Sequence, residues 1–354
     1  DPQLSDLHNP FLMKDMDRAV KRVEQAIERN ERIMVYGDYD VDGTTAVALV
    51  YKFLQQFYSN IDYYIPDRYE EGYGVSVKGV DYAYETGVKL IIVLDCGIKA
   101  IKEIAYAKEK GIDFIICDHH LPENELPKAV AVLDPKREDC NYPFDDLSGC
   151  GVGFKLVQAY SQRYDIPFDT LIPLLDLLVV SIASDLVSVT GENRILAHFG
   201  IKRLNEHPSR GLKAIIETCG FKNTRGNKNG HDTDITINDI VFKIGPRINA
   251  SGRMKSGREV VELLISNDLN HARQLSANIN NYNEERKDVD KATTTEAEQS
   301  VTDEMQKDKR SIVVYNPNWH KGIVGIVASR LTEKYYKPTI VLTKANGIVS
   351  GSAR

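Results

Sequence analysis

The sequence predicts an α/β protein: a parallel-sheet domain over residues 1–267, a long helical linker over 268–308, and the start of a smaller α/β domain over 309–354. Three observations predict it. Short, continuous apolar runs alternate with helix-periodic segments, the pattern of strands covered on both faces of a parallel sheet. Carboxylates and histidines gather at the C-terminal ends of those runs, the edge at which such sheets bind ligands. A polar stretch without Gly or Pro then separates these strands from a later pair, with Leu269, Ala272, Leu275, Ile279 and Tyr282 on one helical face.

Taken in order, residues 15–30 place Met16, Val20, Val23, Ala26 and Ile27 at helical spacing, with Asp15 and Asp17 early, where the helix dipole favours acids. Ile33–Tyr36 reads as a buried strand, and 44–58 as a helix carrying Val47, Leu49, Val50, Phe53 and Leu54. Leu90–Leu94 is a strand ending in Asp95, followed by a helix at 99–110. Phe114–Cys117 is a strand ending in Asp118-His119-His120, and 130–133 is another. Residues 154–185 read as mostly helical, interrupted at Pro173. The Asn-, Gly- and Lys-rich segment 222–234 reads as an exposed loop. The polar stretch 268–308 reads as one or two mostly solvent-exposed helices, with a disordered acidic linker as the alternative. Strands at 311–315 and 339–342 flank a helix at 322–336, and the chain is expected to stop inside this second domain.

Composition excludes some classes. Apolar residues make up 42% and charged residues 27%, so the bulk of the chain is globular rather than disordered. No apolar run is long enough to span a membrane, and the first residues lack a signal-peptide pattern. Five cysteines without a CxxC argue against a disulfide framework or zinc ribbon, and point to reduced thiols in the cytoplasm. The net charge of −6 by itself suggests a small-molecule enzyme.

The chemistry concentrates at four places. Gly37-Asp-Tyr-Asp-Val-Asp-Gly43 sets three carboxylates at alternate positions after a strand; were the strand to continue, all would share one face. Such crowding calls for a cation. An EF-hand fails, because loop position 12 would be Leu49; a plain surface turn remains the alternative. Asp95 ends a strand, where an isolated Asp reads equally as a helix N-cap. Asp118-His119-His120 is a ligand mixture suited to manganese, magnesium or zinc. Asp185 closes an apolar run and needs a partner there. Together they predict a dinuclear metal site that activates water and holds a phosphoryl oxygen. No P-loop, HExxH or GxSxG occurs, and Gly149, Gly151 and Gly153 read as a tight turn into a helix.

GDYDVDG at 37–43, LDCGI at 94–98, DHHLP at 118–122 and SIASDLV at 181–187 resemble the ordered motifs of the DHH phosphoesterase superfamily. PDRYEEGYG at 66–74, IGPRINASGRM at 244–254, NWHKGIVGIVASRL at 318–331 and SGSAR at 350–354 are similar to its single-strand-specific exonuclease branch. Other branches usually place a His where this chain has Tyr36. The resemblance runs from about residue 8 to 354 and implies a DHH domain followed by a DHH-associated domain, which in that branch continues further and usually into an OB-fold. It implies Asp40, Asp42, Asp95, His119 and Asp185 as metal ligands, with Asp95 bridging two ions and Asp38 a weaker candidate behind them. Asp118 would orient His119, and His120 would face the scissile phosphate as donor or general acid. Mn²⁺ is the implied cofactor, with Mg²⁺ as an alternative.

The substrate reading starts from where the basic charge lies. Residues 202–258 hold 12 Lys or Arg against five acids, a local +7 that leaves −13 for the rest of the chain. Within it, 241–258 has five basic residues and no acid, which suits phosphate binding. A solvated basic face is the plainer reading. Arg247, Asn249, Ser251 and Arg253 are the candidate phosphate contacts. The resemblance adds Arg68, Ser352 and Arg354 as captors of a 5′-phosphate and His320 as a substrate-facing residue. Tyr69, Tyr73 and Trp319 are candidate stacking platforms.

The implied function is a monomeric 5′→3′ exonuclease that hydrolyses single-stranded DNA to 5′-mononucleotides in repair and recombination. Single-strand-binding protein or a helicase is the expected partner. Two rivals remain: a phosphodiesterase on short oligonucleotides or cyclic dinucleotides, and a non-catalytic nucleic-acid-binding scaffold.

Overall fold

A computed structural model describes residues 1–185, 187–221, 234–303, 305, 309–345 and 347–354. The expected loop at 222–234 lies almost wholly outside the described residues, as do Lys222, Arg225 and Lys228 of the basic segment and Leu186 of the SIASDLV motif. The chain forms two compact units, one of residues 1–252 and 256–278, the other of 253–255 and 279–354.

The first unit runs α1 (Met16–Glu28), β1 (Arg32–Gly37), α2 (Val41–Gln55), β2 (Ile61–Tyr64), α3 (Val77–Glu85), β3 (Val88–Leu94), α4 (Ile101–Glu109), β4 (Asp113–Cys117), β5 (Ala131–Leu133), α5 (Gly149–Arg163), α6 (Leu175–Ser184), α7 (Gly191–Glu206), α8 (Arg210–Thr218), α9 (Gly245–Met254) and α10 (Gly257–Ile265). Its five strands are all parallel, in the order β2-β1-β3-β4-β5. Ile33–Tyr36, Leu90–Leu94 and Ile115–Cys117 are completely buried, as expected of strands covered on both faces. One core cluster joins Met34, Tyr36, Ile91, Val93, Phe114 and Ile116 to Val80 and Ala83 of α3 and Ile104 and Ala107 of α4. The short, polar β2 and α3 were not legible from the sequence, because Ile61-Asp-Tyr-Tyr has neither the length nor the apolar continuity of its neighbours.

Two boundaries matter for the site. The sequence places a helix at 44–58, but α2 begins at Val41, because the Asp40 carboxylate accepts the Gly43 N–H as an N-cap. The acidic run is therefore not an extended strand. It is a turn closed by glycines: a Cβ on Gly37 would lie 2.4 Å from Val47 Cγ2, and one on Gly43 2.5 Å from the Asp38 carbonyl oxygen. Likewise α5 begins at Gly149, so the three glycines lie inside the helix rather than in a turn before it.

The polar stretch is one long helix, α11 (Leu269–Gln299), and the two units divide within it, between residues 278 and 279. The sequence reading set boundaries at 267/268 and 308/309 instead. α11 is less exposed than its polarity suggests, because Ala272, Leu275, Ile279, Asn283, Asp290 and Ala297 are buried. In the second unit Asp290 accepts a 2.7 Å bond from Arg330, which lets a carboxylate lie inside. That unit adds β6 (Ile312–Tyr315), α12 (Val324–Tyr335), β7 (Thr339–Ala345) and β8 (Ile348–Ala353). β7 lies between a parallel β6 and an antiparallel β8. Its core is Ile312, Val314, Trp319, Ile323, Val327, Leu331 and Val341, completed by Ala297 and Val301. Among the described residues, no helix is long and apolar enough to cross a membrane.

Candidate metal centre

The parallel strands deliver their acidic ends to one edge of the first sheet. Asp38 follows β1, Asp95 follows β3 and Asp118 follows β4, while Asp185 follows α6. Asp95 takes a left-handed backbone (φ 59°), a conformation that Asp tolerates better than most residues, and its N–H donates to the Cys117 carbonyl at 2.9 Å. The start of α5 comes so close that a Cβ on Gly149 would fall 2.5 Å from Asp95 Cβ.

Three groups of ligand atoms result: Asp38, Asp40 and Asp95; Asp42, His119 and Asp185; and Asp95, His119 and His120, each within 4.8 Å of one another. His119 Nε2 lies 3.2 Å from Asp95 Oδ1, 3.5 Å from Asp185 Oδ2 and 3.7 Å from Asp42 Oδ2. Asp95 thus stands between two adjoining groups. Asp38 enters one of them directly, a closer role than the sequence reading gave it.

Burial makes this concentration of carboxylates costly. It pushes Asp38 up to about 8, with the Asp40 charge adding to the effect, and it raises Asp42 and Asp95 as well. Asp38 Oδ1, His119 Nδ1 and Asp185 Oδ2 are buried without a hydrogen-bond partner. Crowded acids, an imidazole donor and orphaned oxygens are the features a pair of divalent cations would satisfy, so the residues fit the group.

Asp42 is held by three hydrogen bonds. Its Oδ2 accepts the Gly149 N–H at 2.6 Å, and its Oδ1 accepts the Cys150 N–H at 2.8 Å and the Ser181 hydroxyl at 2.7 Å. Each bond to a charged acceptor contributes about 1.5–3 kcal/mol. The glycine-rich start of α5 therefore serves a carboxylate of the site. Sequence reasoning missed this use, and the closely spaced glycines were the only signal for it.

One assigned role is corrected. Asp118 does not orient the His119 ring; its Oδ1 sits 2.7 Å from His120 Nδ1. His119 meets Asp118 only through its backbone N–H, because its ring turns away toward Asp42, Asp95 and Asp185. Burial alone would raise Asp118, but the His120 ring and the Ile98 and His120 N–H groups outweigh it and hold the carboxyl below its usual range. The same hydrogen bond raises His120. The His120 Nε2 is left near the Tyr73 hydroxyl, 3.4 Å away. Tyr73 packs edge-on to Tyr39, whose ring lies 5.0 Å from the Arg68 guanidinium. A cavity of about 310 Å³ opens beside His120, lined by Tyr73, Val75, Cys96, Ile98 and Glu103 among others.

The expected substrate contacts separate. Arg68 reaches the acidic turn through Tyr39. Asn249 acts from within: its Oδ1 accepts the Val41 N–H at 3.2 Å and so braces that turn. Ser251 does not face a ligand. It is fully buried and its hydroxyl donates to the Ser256 carbonyl, because α9 packs so close that a Cβ on Gly252 would meet the Tyr39 oxygen at 2.3 Å. Arg247 donates to the Lys243 carbonyl. Among the described residues, the basic side chains of 202–258 fall on α7, α8, α9 and α10, with Lys243 just before α9 and Lys255 just after it. In the second unit Arg253 donates to the Gly322 carbonyl, while His320 Nδ1 accepts the Gly322 N–H. Ser352 and Arg354 lie over the first turn of α12, 3.4 and 3.6 Å from where a Gly325 Cβ would stand. Trp319 is mostly buried and donates to Glu296, so it packs and does not stack on a base.

Residues 32–182 match the model of the DHH family, N-terminal domain. The single-stranded-DNA-specific exonuclease RecJ of Bacillus subtilis is 40% identical over 352 residues, covering 99% of this chain and 43% of that protein. The same enzyme of Haemophilus influenzae is 34% identical over 367 residues, 100% of this chain and 62% of its own length. This chain therefore spans about half the length of the curated relatives it matches. Among solved structures, RecJ from Thermus thermophilus in complex with Mn²⁺ superposes with a TM-score of 0.81 at 27% identity, over 97% of this chain and 47% of that one. An exonuclease RecJ bound to manganese gives 0.84 at 28% identity, over 97% and 82%.

Proposed function

Because residues 32–182 match the DHH family, N-terminal domain, and the chain is similar to RecJ exonucleases along nearly all of its own length, we propose that it belongs to that family and hydrolyses single-stranded DNA from the 5′ end, releasing 5′-mononucleotides in DNA repair and recombination. The observation that carries this reading is the pair of adjoining ligand groups that meet at Asp95 and His119. Asp38, Asp40 and Asp95 would hold one divalent cation and Asp42, Asp95, His119 and Asp185 the other, with Mn²⁺ preferred and Mg²⁺ accepted. When bound, such ions supply the Lewis-acid chemistry that activates water and offsets charge on the scissile phosphate.

The chain's own residues then divide the work. Asp95, fixed by its backbone bond to Cys117, sets the spacing of the two groups. His120, whose ring is raised above its ordinary value by its hydrogen bond to Asp118, presents Nε2 to the phosphate as a hydrogen-bond donor or as an acid for the departing oxygen. Tyr73 steadies that ring and borders the adjacent cavity, which has the apolar lining a nucleoside needs. Two separate candidates for the 5′-phosphate stand one in each unit: Arg68 near the acidic turn, since Arg offers a planar fork, and Ser352 with Arg354 at the start of α12, since a helix start favours anions. The free cysteines among the described residues fit a reducing cytoplasm, where such a substrate lies.

Two comparisons test this reading. With Mn²⁺ supplied, Asp95→Ala should abolish cleavage of long single strands; retained cleavage would contradict the metal role. Strands of two to five nucleotides should be poorer substrates than long ones, and the reverse preference would favour an oligonucleotide phosphodiesterase.

A further inference from the structure

We propose that Ser181, backed by Ser148, is a positioning residue of the metal centre, and that its hydroxyl fixes Asp42 as a ligand through one oxygen only. The inference rests on the reading of Asp42 as a ligand. Of the carboxylate's four lone-pair directions, three are taken by protein donors. Oδ1 accepts both Cys150 N–H and Ser181 O–H, and Oδ2 accepts Gly149 N–H, so the one remaining direction is on Oδ2, the oxygen that faces His119 Nε2.

With Asp42 ionised, as a metal ligand is, the proton order behind it follows. Ser181 has a single proton and spends it on Asp42. In its 2.6 Å contact with Ser148, the donor must therefore be Ser148. The Ser148 oxygen in turn accepts the Gly151 N–H at 3.1 Å. The relay runs from the first turn of α5 through Ser148 and Ser181 to Asp42, and both serines are fully buried, so water cannot substitute for either.

Ser181 also reaches a second ligand. Its carbonyl accepts the Asp185 N–H at 3.0 Å, one helical turn on. A single residue of α6 thus orients Asp42 through its side chain and Asp185 through its backbone. Removing the hydroxyl would leave Oδ1 with the Cys150 N–H alone and open one of its lone-pair directions, so that Asp42 could offer either oxygen, while the Asp185 bond stays in place. Loss of such a supporting hydrogen bond typically weakens metal affinity about 10- to 100-fold.

The test is a Mn²⁺ titration followed by the electron paramagnetic resonance of unbound Mn²⁺, on the wild type, Ser181→Ala, Ser181→Thr, Ser148→Ala and Asp42→Ala. Thermal midpoints are recorded with and without Mn²⁺. Ser181→Ala is expected to weaken one of two Mn²⁺ sites about tenfold or more, Ser181→Thr to recover most of it, and Ser148→Ala to lose less in the same direction. Should Ser181→Ala fail to fold, Ser148→Ala carries the comparison. Affinity within twofold of wild type, with midpoints lowered equally with and without Mn²⁺, would reduce Ser181 to a packing role and overturn the proposal. So would a folded Thr variant no better than the Ala variant. Two unchanged sites in Asp42→Ala would instead overturn the ligand reading itself.

Discussion

At the scale of single residues, the site is a balance between burial and charge. Asp38, Asp42 and Asp95 are all raised by burial, Asp38 to about 8. An acid whose folded-state value lies above its unfolded one holds its proton more tightly when folded. Its contribution to stability is therefore largest at low pH and is lost as pH rises through the folded value. Raising the pH from 5 to 8 should lower the melting temperature of the metal-free protein and enlarge the increase given by Mn²⁺, which calorimetry in both states would read. A second expectation concerns Asp118. Asp118→Asn removes the charge that raises His120, so the alkaline limb of the kcat/KM profile should move to lower pH, while Mn²⁺ affinity changes little. Much of this scale was legible: the acid and histidine clusters identify themselves by type and by place after a strand. The division of labour between His119 and His120 was not, because adjacent residues in a loop can turn their rings to opposite sides and only packing decides which.

At the scale of elements, glycines and helix starts shape the centre. α2 and α5 both begin at it, one capped by Asp40 and the other donating its first N–H groups to Asp42. Gly149→Ala would set a methyl 2.5 Å from Asp95 Cβ. We expect this variant to fold with a lowered melting temperature of a few degrees and to lose Mn²⁺ binding, measured together by calorimetry and titration. Gly252→Ala would push the Tyr39 oxygen, 2.3 Å away, and so shift the acidic turn from behind. Activity should fall by at least tenfold although no candidate ligand changes. The strands were readable because each is a continuous apolar run, and the edge that carries the site followed from their parallel order. The starts of α2 and α5 were misread by a few residues, since caps depend on which oxygen finds which N–H. Asn249 and Ser251 were read as surface contacts because their sequence neighbours are basic, whereas α9 turns them inward against the turn and the loop that follows.

At the scale of the whole molecule, the net charge of −6 misleads if treated as uniform. Part of the acidity is the cluster suited to two divalent ions, about four positive charges, while a local +7 lies over residues 202–258. Binding of single strands should therefore weaken steadily with salt, with a log–log slope set by the few phosphates contacted. The proposed activity is Mn²⁺-dependent removal of nucleotides from the 5′ end of single-stranded DNA. It is tested most directly by a time course on one single strand labelled at the 5′ end or at the 3′ end, with Mn²⁺ present and Asp95→Ala as control. The 5′ label should appear at once as a mononucleotide, the 3′ label should pass through a descending ladder, and the control should leave both strands whole. Mononucleotide released first from the 3′ label, or cleavage that persists in the control, would contradict it.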